Sequence, residues 1–208
     1  MKVLAINGSP KADGNTATAL KVVLHELEYK GIATELVTIG QKAIRGCLAC
    51  GQCRVQQNGR CAIDGDEVNA VIPRLIEADG VLLGSPVYYS GVNGTMKSFL
   101  DRAFFAASGA MRHKVGAAVI AVRRSGGSAS FDQLNKYFLI SQMYVAGSNY
   151  WNIIHGMMPG EASEDAEGQQ IMRTLGRNMA WLLKLIDHGK TAVLPPVPED
   201  KIMTNFVR

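Results

Sequence analysis

The chain alternates short, nearly continuous apolar runs with longer segments whose apolar residues recur at helical spacing. Lys2 to Asn7 is apolar almost throughout, the pattern of a strand buried on both faces. Asn15 to Lys30 places Ala19, Val22, Val23 and Leu27 on one helical face, leaves Lys21, Glu26 and Lys30 for water, and stops at Gly31. Ile32 to Ile39 alternates only in part and predicts a second strand nearer a sheet edge. Asp66 to Ala78 predicts a helix with Val68, Val71, Ile72, Leu75 and Ile76 inward, and Pro73 inside it is expected to kink or split it. Gly80 to Ser85, ending at Pro86, reads as a third strand, Thr95 to Ala107 as a helix, and Val115 to Val122 as a fourth, buried strand. Helix Phe131 to Ser141, a short strand Met143 to Ala146 and a long helix Asp165 to His188 complete the series.

Strands joined by helices require right-handed crossovers and a parallel sheet. The expected architecture is a doubly wound, flavodoxin-like α/β fold of five parallel strands in the order 2-1-3-4-5, spanning residues 1–189. Residues 190–208 carry Pro195, Pro196 and Pro198 and predict an extended arm on the domain or on a partner subunit. Gly40 to Gly65 breaks the periodicity, holds all four cysteines, and is expected to be an inserted loop with its own chemistry.

Composition narrows the class. The 208 residues are 47% hydrophobic and 19% charged, which suits one domain with a full core. A net charge of +4 without a dense Lys/Arg block gives no ground for a nucleic-acid or membrane surface. With no leader pattern and no apolar run of spanning length, a cytoplasmic protein is expected.

Ligand-like loops follow strands one, three and four. The first, Asn7-Gly8-Ser9-Pro10-Lys11-Ala12-Asp13-Gly14-Asn15-Thr16, has neither G-x-G-x-x-G nor a Gly-Lys-Ser/Thr ending, so it is neither a dinucleotide fingerprint nor a P-loop. It still places a helix N-terminus, with the hydroxyls of Ser9 and Thr16 and the amide of Asn15, where an anion binds. The second, around Pro86, Val87, Tyr88 and Tyr89, offers aromatic faces, although tyrosines serve equally in cores and interfaces. The third offers Arg124 as a charge partner and Ser125, Gly126 and Gly127 for close backbone approach. A phosphate at one end and a flat heteroaromatic ring at the other describe FMN, whose own chemistry requires no nucleophile or general base from the chain. No residue is assigned as catalytic, and of the histidines only His155 falls where it would face a substrate.

Cys47, Cys50, Cys53 and Cys61 form C-x2-C-x2-C-x7-C. The compact triple favours a [4Fe–4S] cluster over zinc, whose sites more often use two separated pairs. Unligated thiols stay open as well, because Arg45, Arg54 and Arg60 would lower thiol pKa values and make them reactive.

Taken together, Asn7-Gly8-Ser9-Pro10-Lys11, Gly14-Asn15-Thr16, the cysteine motif, Gly84-Ser85-Pro86-Val87-Tyr88 and Gly94-Thr95-Met96-Lys97-Ser98-Phe99-Leu100-Asp101-Arg102 resemble the NADPH-dependent FMN reductase and iron–sulfur flavoprotein group of the flavodoxin-like superfamily. The resemblance covers about the first half of the chain. It implies FMN, with Ser9, Lys11, Asn15 and Thr16 around the phosphate and Pro86 to Tyr89 against the ring. It implies a homodimer or homotetramer, with Lys97, Asp101 and Arg102 fixing a helix and an interface. The function it implies is oxidoreduction from NAD(P)H to a flavin, quinone or similar acceptor. Two other functions stay open: an iron–sulfur electron carrier reduced by ferredoxin, and a redox-sensing interaction protein that switches through its thiols.

Overall fold

The computed structural model describes residues 1–204. Strand β1 (Lys2–Asn7) is the second strand of one sheet ordered β2-β1-β3-β5-β6, with β2 at Ala33–Thr38, β3 at Gly80–Tyr88 in the centre, β5 at Val115–Val122 and β6 at Tyr144–Val145. Two strands absent from the sequence reading bring the total to seven. β4 (Gly91–Val92) pairs antiparallel with the end of β3, and β7 (Ile153–His155) pairs parallel with the end of β5. The expected five-strand order therefore holds for the four pairings along this path but is incomplete as a description of the sheet.

Both additions have local causes. β3 runs three residues past its expected end, through Pro86, because Val87 and Tyr88 pair with Val92 and Gly91. The fifth strand shrinks to two residues, and β5 takes a second neighbour further along. Asn152 spans the gap between β6 and β7: its Nδ2 donates to Ala118 O at 3.0 Å, and its O accepts from Ile120 N at 3.0 Å. That satisfies polar backbone at the divided edge, where it would otherwise be buried unpaired.

The period-2 alternation of β1, β3 and β5 sorts the core into two layers. Val3, Ala5, Leu82, Ala117 and Val119 face α1 (Asn15–Tyr29) and α6 (Ala166–Gly189). Leu4, Ile6, Val81, Leu83, Ala118 and Ile120 face α3 (Val68–Glu77), α4 (Gly94–Ala107) and α5 (Gly127–Ile140). Helices α1 and α6 are joined further by Arg177, whose Nε donates to Glu26 Oε2 at 2.9 Å. Helix α3 is not split at Pro73; it runs through the proline, which sits on its exposed side. Helix α5 begins four residues earlier than its apolar pattern suggests, so Gly127 is helical.

Residues 40–65 are mostly irregular, with one short helix, α2 (Gln52–Gln56). This segment leaves the sheet beside the first loop. A Cβ on Gly40 would run into the Ser9 carbonyl, and Gln41 Nε2 donates to Pro10 O at 2.5 Å. Beyond α6, residues 190–204 carry no helix or strand, and Arg112 Nη2 donates to Pro196 O at 3.4 Å. The last four residues of the expected arm, 205–208, lie outside the described residues. No helix among those described is long and apolar enough to cross a membrane.

Candidate functional site

The first loop is built to leave donors free. Asn7 Oδ1 accepts from Ser9 N at 3.0 Å, and Ser9 Oγ accepts from Lys11 N at 3.1 Å, so two successive side chains curl the backbone. No side chain caps α1. The first backbone bond onto that helix runs from Thr18 N to Gly14 O at 3.0 Å, after the amides of Asn15, Thr16 and Ala17. By contrast, α4 is capped by Asn93 and α6 by Asp165, each side chain accepting an N–H of the first turn. An uncapped first turn at the carboxyl edge of a parallel sheet suits an anion, and the chain's own Ser9 and Thr16 stand buried beside it.

Asn15 is placed differently from its reading as a side-chain amide donor. Its Nδ2 donates to Met158 O at 3.0 Å and its Oδ1 accepts from Ala162 N at 3.2 Å. The side chain braces the segment after β7, and what Asn15 retains for an anion is its backbone N–H. Lys11 is exposed on the same loop.

Loops two and three meet. Gly126 has φ +85°, and a Cβ there would lie 2.8 Å from Ser90 Cα and 3.0 Å from Val87 Cγ1. Tyr89 and Ser90 take positive φ to make the tight β3–β4 reversal. Tyr89 is fully exposed, Tyr88 about half exposed, and Pro86 and Val87 are partly buried. Arg124 and Ser125 are exposed beside them, and Gly126 is the N-cap position before α5, which no side chain caps. Ser85, part of the Gly84–Tyr88 motif, and Gln133, which the sequence did not single out, hold this reversal. Ser85 Oγ accepts from Asn93 N at 3.1 Å, and Gln133 Oε1 accepts from Val92 N at 3.2 Å. Gln133 carries no local signal, because its partner lies 41 residues away. The three loops thus combine uncapped helix amides at two points with an exposed aromatic face. FMN fits these residues through its phosphate and its ring.

His155 ends β7, exposed, with Nδ1 3.4 Å from Asp165 Oδ2. That carboxylate also accepts His155 N at 2.7 Å and so fixes the backbone as well as the ring.

The four thiols all lie on the irregular segment, Cys47 and Cys50 exposed, Cys53 and Cys61 partly buried. Two sulfurs accept N–H groups: Cys47 from Ala49 N at 3.4 Å and Cys61 from Arg102 Nε at 3.3 Å. Such bonds are what thiolate ligands of iron–sulfur clusters receive, so the donor set fits one. In this arrangement no three Cys, His, Asp or Glu side chains among the described residues are gathered as an ion's ligands, so joint ligation requires the outer thiols to move in. At Cys53 the lowering expected from the flanking arginines is not found. Burial raises the Cys53 pKa, while Arg54 sits 4.3 Å over the Phe105 ring and Arg60 reaches Asp64 at 3.9 Å.

Comparison with known proteins gives the family. A family model described as NADPH-dependent FMN reductase matches residues 1–157. An iron–sulfur flavoprotein of Methanocaldococcus jannaschii is 36% identical over 194 residues, covering 89% of this chain and 99% of the relative. An iron–sulfur flavoprotein of Methanosarcina thermophila is 28% identical over 194 residues, 91% of this chain and 99% of that one. Among solved structures, RosB with bound 8-demethyl-8-formylriboflavin-5'-phosphate superposes with a TM-score of 0.73 at 13% identity, over 100% of this chain and 94% of its own. At that identity it speaks for the fold.

Proposed function

We propose, from the premise that this chain belongs to the NADPH-dependent FMN reductase family and is a flavin-dependent oxidoreductase, that it takes electrons from NAD(P)H and passes them to a flavin, quinone or similar small acceptor. The observation that carries this reading is the uncapped first turn of α1 beside buried Ser9 and Thr16, set on the same sheet edge as Tyr88 and the Gly126 junction.

In this reading the amides of Asn15, Thr16 and Ala17 and the hydroxyls of Ser9 and Thr16 hold the FMN phosphate, with Lys11 adding charge from the rim. Pro86, Val87 and Tyr88 present the surface for the ring, and Tyr89 stands outside it, open to an incoming reactant. Backbone amides from Ser125 to Gly127, at the second uncapped helix start, would serve the ring's polar edge, and Arg124 would add positive charge there. Bound FMN supplies the redox chemistry, accepting electrons in pairs and passing them on. The chain supplies orientation and charge.

The test is direct. Purified protein should carry, or take up, one FMN per chain with a bound-flavin spectrum and should oxidise NAD(P)H steadily when a quinone or free flavin is supplied. Failure to take up added FMN would sink the reading.

A second reading, an iron–sulfur electron carrier reduced by ferredoxin, is supported by the four cysteines and by the names of relatives matched over nearly their full length. Cys47, Cys50, Cys53 and Cys61 would hold the cluster. Iron and flavin counts with an anaerobic visible spectrum decide it. About four irons per chain with slow NAD(P)H turnover favours the carrier, and no iron after anaerobic purification removes it.

A further inference from the structure

Arg102 lies in the middle of α4, on its apolar face, and is 1% exposed. A buried guanidinium is costly unless every donor is met, and here each is. Nε donates to Cys61 Sγ at 3.3 Å, and Nη2 to Ile63 O at 2.7 Å and Asp66 Oδ1 at 3.1 Å. Nη1 donates to Arg45 O at 3.1 Å and to Asp66 Oδ2. These acceptors lie on both sides of the cysteine segment: Arg45 just before Cys47, and Cys61, Ile63 and Asp66 at its end.

A second residue completes the base. Buried Asn69 accepts from Cys61 N at 2.8 Å and donates to Cys61 O at 2.9 Å and Ile63 O at 3.2 Å. Cys61 is therefore held through its sulfur and through both of its backbone polar groups. The outer part of the segment has no such hold. Cys47 and Cys50 are exposed, and α2 buries no residue.

We propose that Arg102 is the positioning residue of the cysteine loop: it fixes Cys61 as the stationary thiol, and Cys47 and Cys50 are the thiols that close onto it when a metal is bound. The clamp is a property of the metal-free fold. Its role in metal capture rests on the iron–sulfur reading, and the experiment separates the two.

The test uses the full chain loaded with FMN and compares the parent with Arg102→Lys, which keeps the charge but loses the fork, and with Asp66→Asn. Metal-free hydrogen exchange is read over residues 45–66, and anaerobic cobalt(II) titration follows thiolate coordination. Arg102→Lys is expected to speed exchange at 61–66 about tenfold while α1 and FMN content stay unchanged. It is also expected to weaken cobalt(II) about 10–100-fold, the usual effect of removing a partner behind a metal ligand. Unchanged exchange and unchanged cobalt affinity in an Arg102→Lys protein that holds FMN overturns the proposal. If that variant does not fold, Asp66→Asn decides: faster exchange at 61–66 supports the clamp and parental exchange overturns it. A parent that binds no cobalt overturns metal capture, and the exchange result alone then decides the clamp.

Discussion

Two residues decide how firmly the first and third loops keep their shape. Gly126 is left-handed and packed against the Ser90 backbone, so Gly126→Ala meets both a conformational cost of about 1–2 kcal/mol and a steric one. The expected outcome is a weaker FMN complex by fluorescence titration, whereas Gly109→Ala, with open space at its Cβ, leaves binding unchanged. Asn15→Ala leaves Ala162 N without its partner and Met158 O to water, with an expected loss of about 1–3 kcal/mol in urea unfolding. Because the Asn15 backbone N–H survives this change, FMN affinity should fall less than for a substitution that fills the loop. The residue scale is also where the sequence was least legible. Ser9, Thr16 and Gly126 were visible as a loop chemistry, but the partners of Asn15 lie 143 and 147 residues away. Arg102 stood out as the end of the Gly94–Arg102 motif, and its burial had a signal as well: a charge three residues after Phe99 and four before Ala106, on a face otherwise apolar.

At the scale of elements, hydrophobic period located almost every helix and strand, and the departures came from hydrogen bonds that period does not encode. β3 continues past Pro86 because a two-residue strand folds back on it, and β7 exists because Asn152 divides the sheet edge. Helix α3 shows the opposite case, a helix breaker overruled by packing. Val68, Val71, Ile72 and Leu75 are buried on one side of it, and Pro73 lies on the other. Pro73→Ala therefore loses no core contact and restores an N–H to the helix. It should raise stability by about 1–3 kcal/mol, read as a higher urea midpoint with an unchanged slope.

At the scale of the whole molecule, acid should loosen the layers together. The Arg177 guanidinium bound to Glu26 holds that carboxyl below its usual range, and Lys2 and then Arg74 do the same for Glu35. A carboxyl lowered in the folded state contributes stability that is complete above its unfolded value of about 4.3 and drains away as pH falls through the folded value. Unfolding midpoints should be flat from pH 8 to about 5 and drop below that. Glu26→Gln with Glu35→Gln should flatten the acid limb, and an unaltered limb would place the sensitivity elsewhere. The doubly wound plan itself was legible from alternation and crossover length, because both follow from backbone geometry rather than from particular partners. One feature of that plan bears on how the chain can be cut. The family match stops at residue 157, yet Ile171, Met172, Leu175, Met179 and Leu183 of α6 cover the face formed by Val3, Ala5, Val119 and α1. A fragment trimmed to residues 1–157 would lay that face bare and should be recovered as aggregate, whereas one cut after Gly189 keeps α6 and is expected to stay in solution, which size-exclusion chromatography of the two fragments checks.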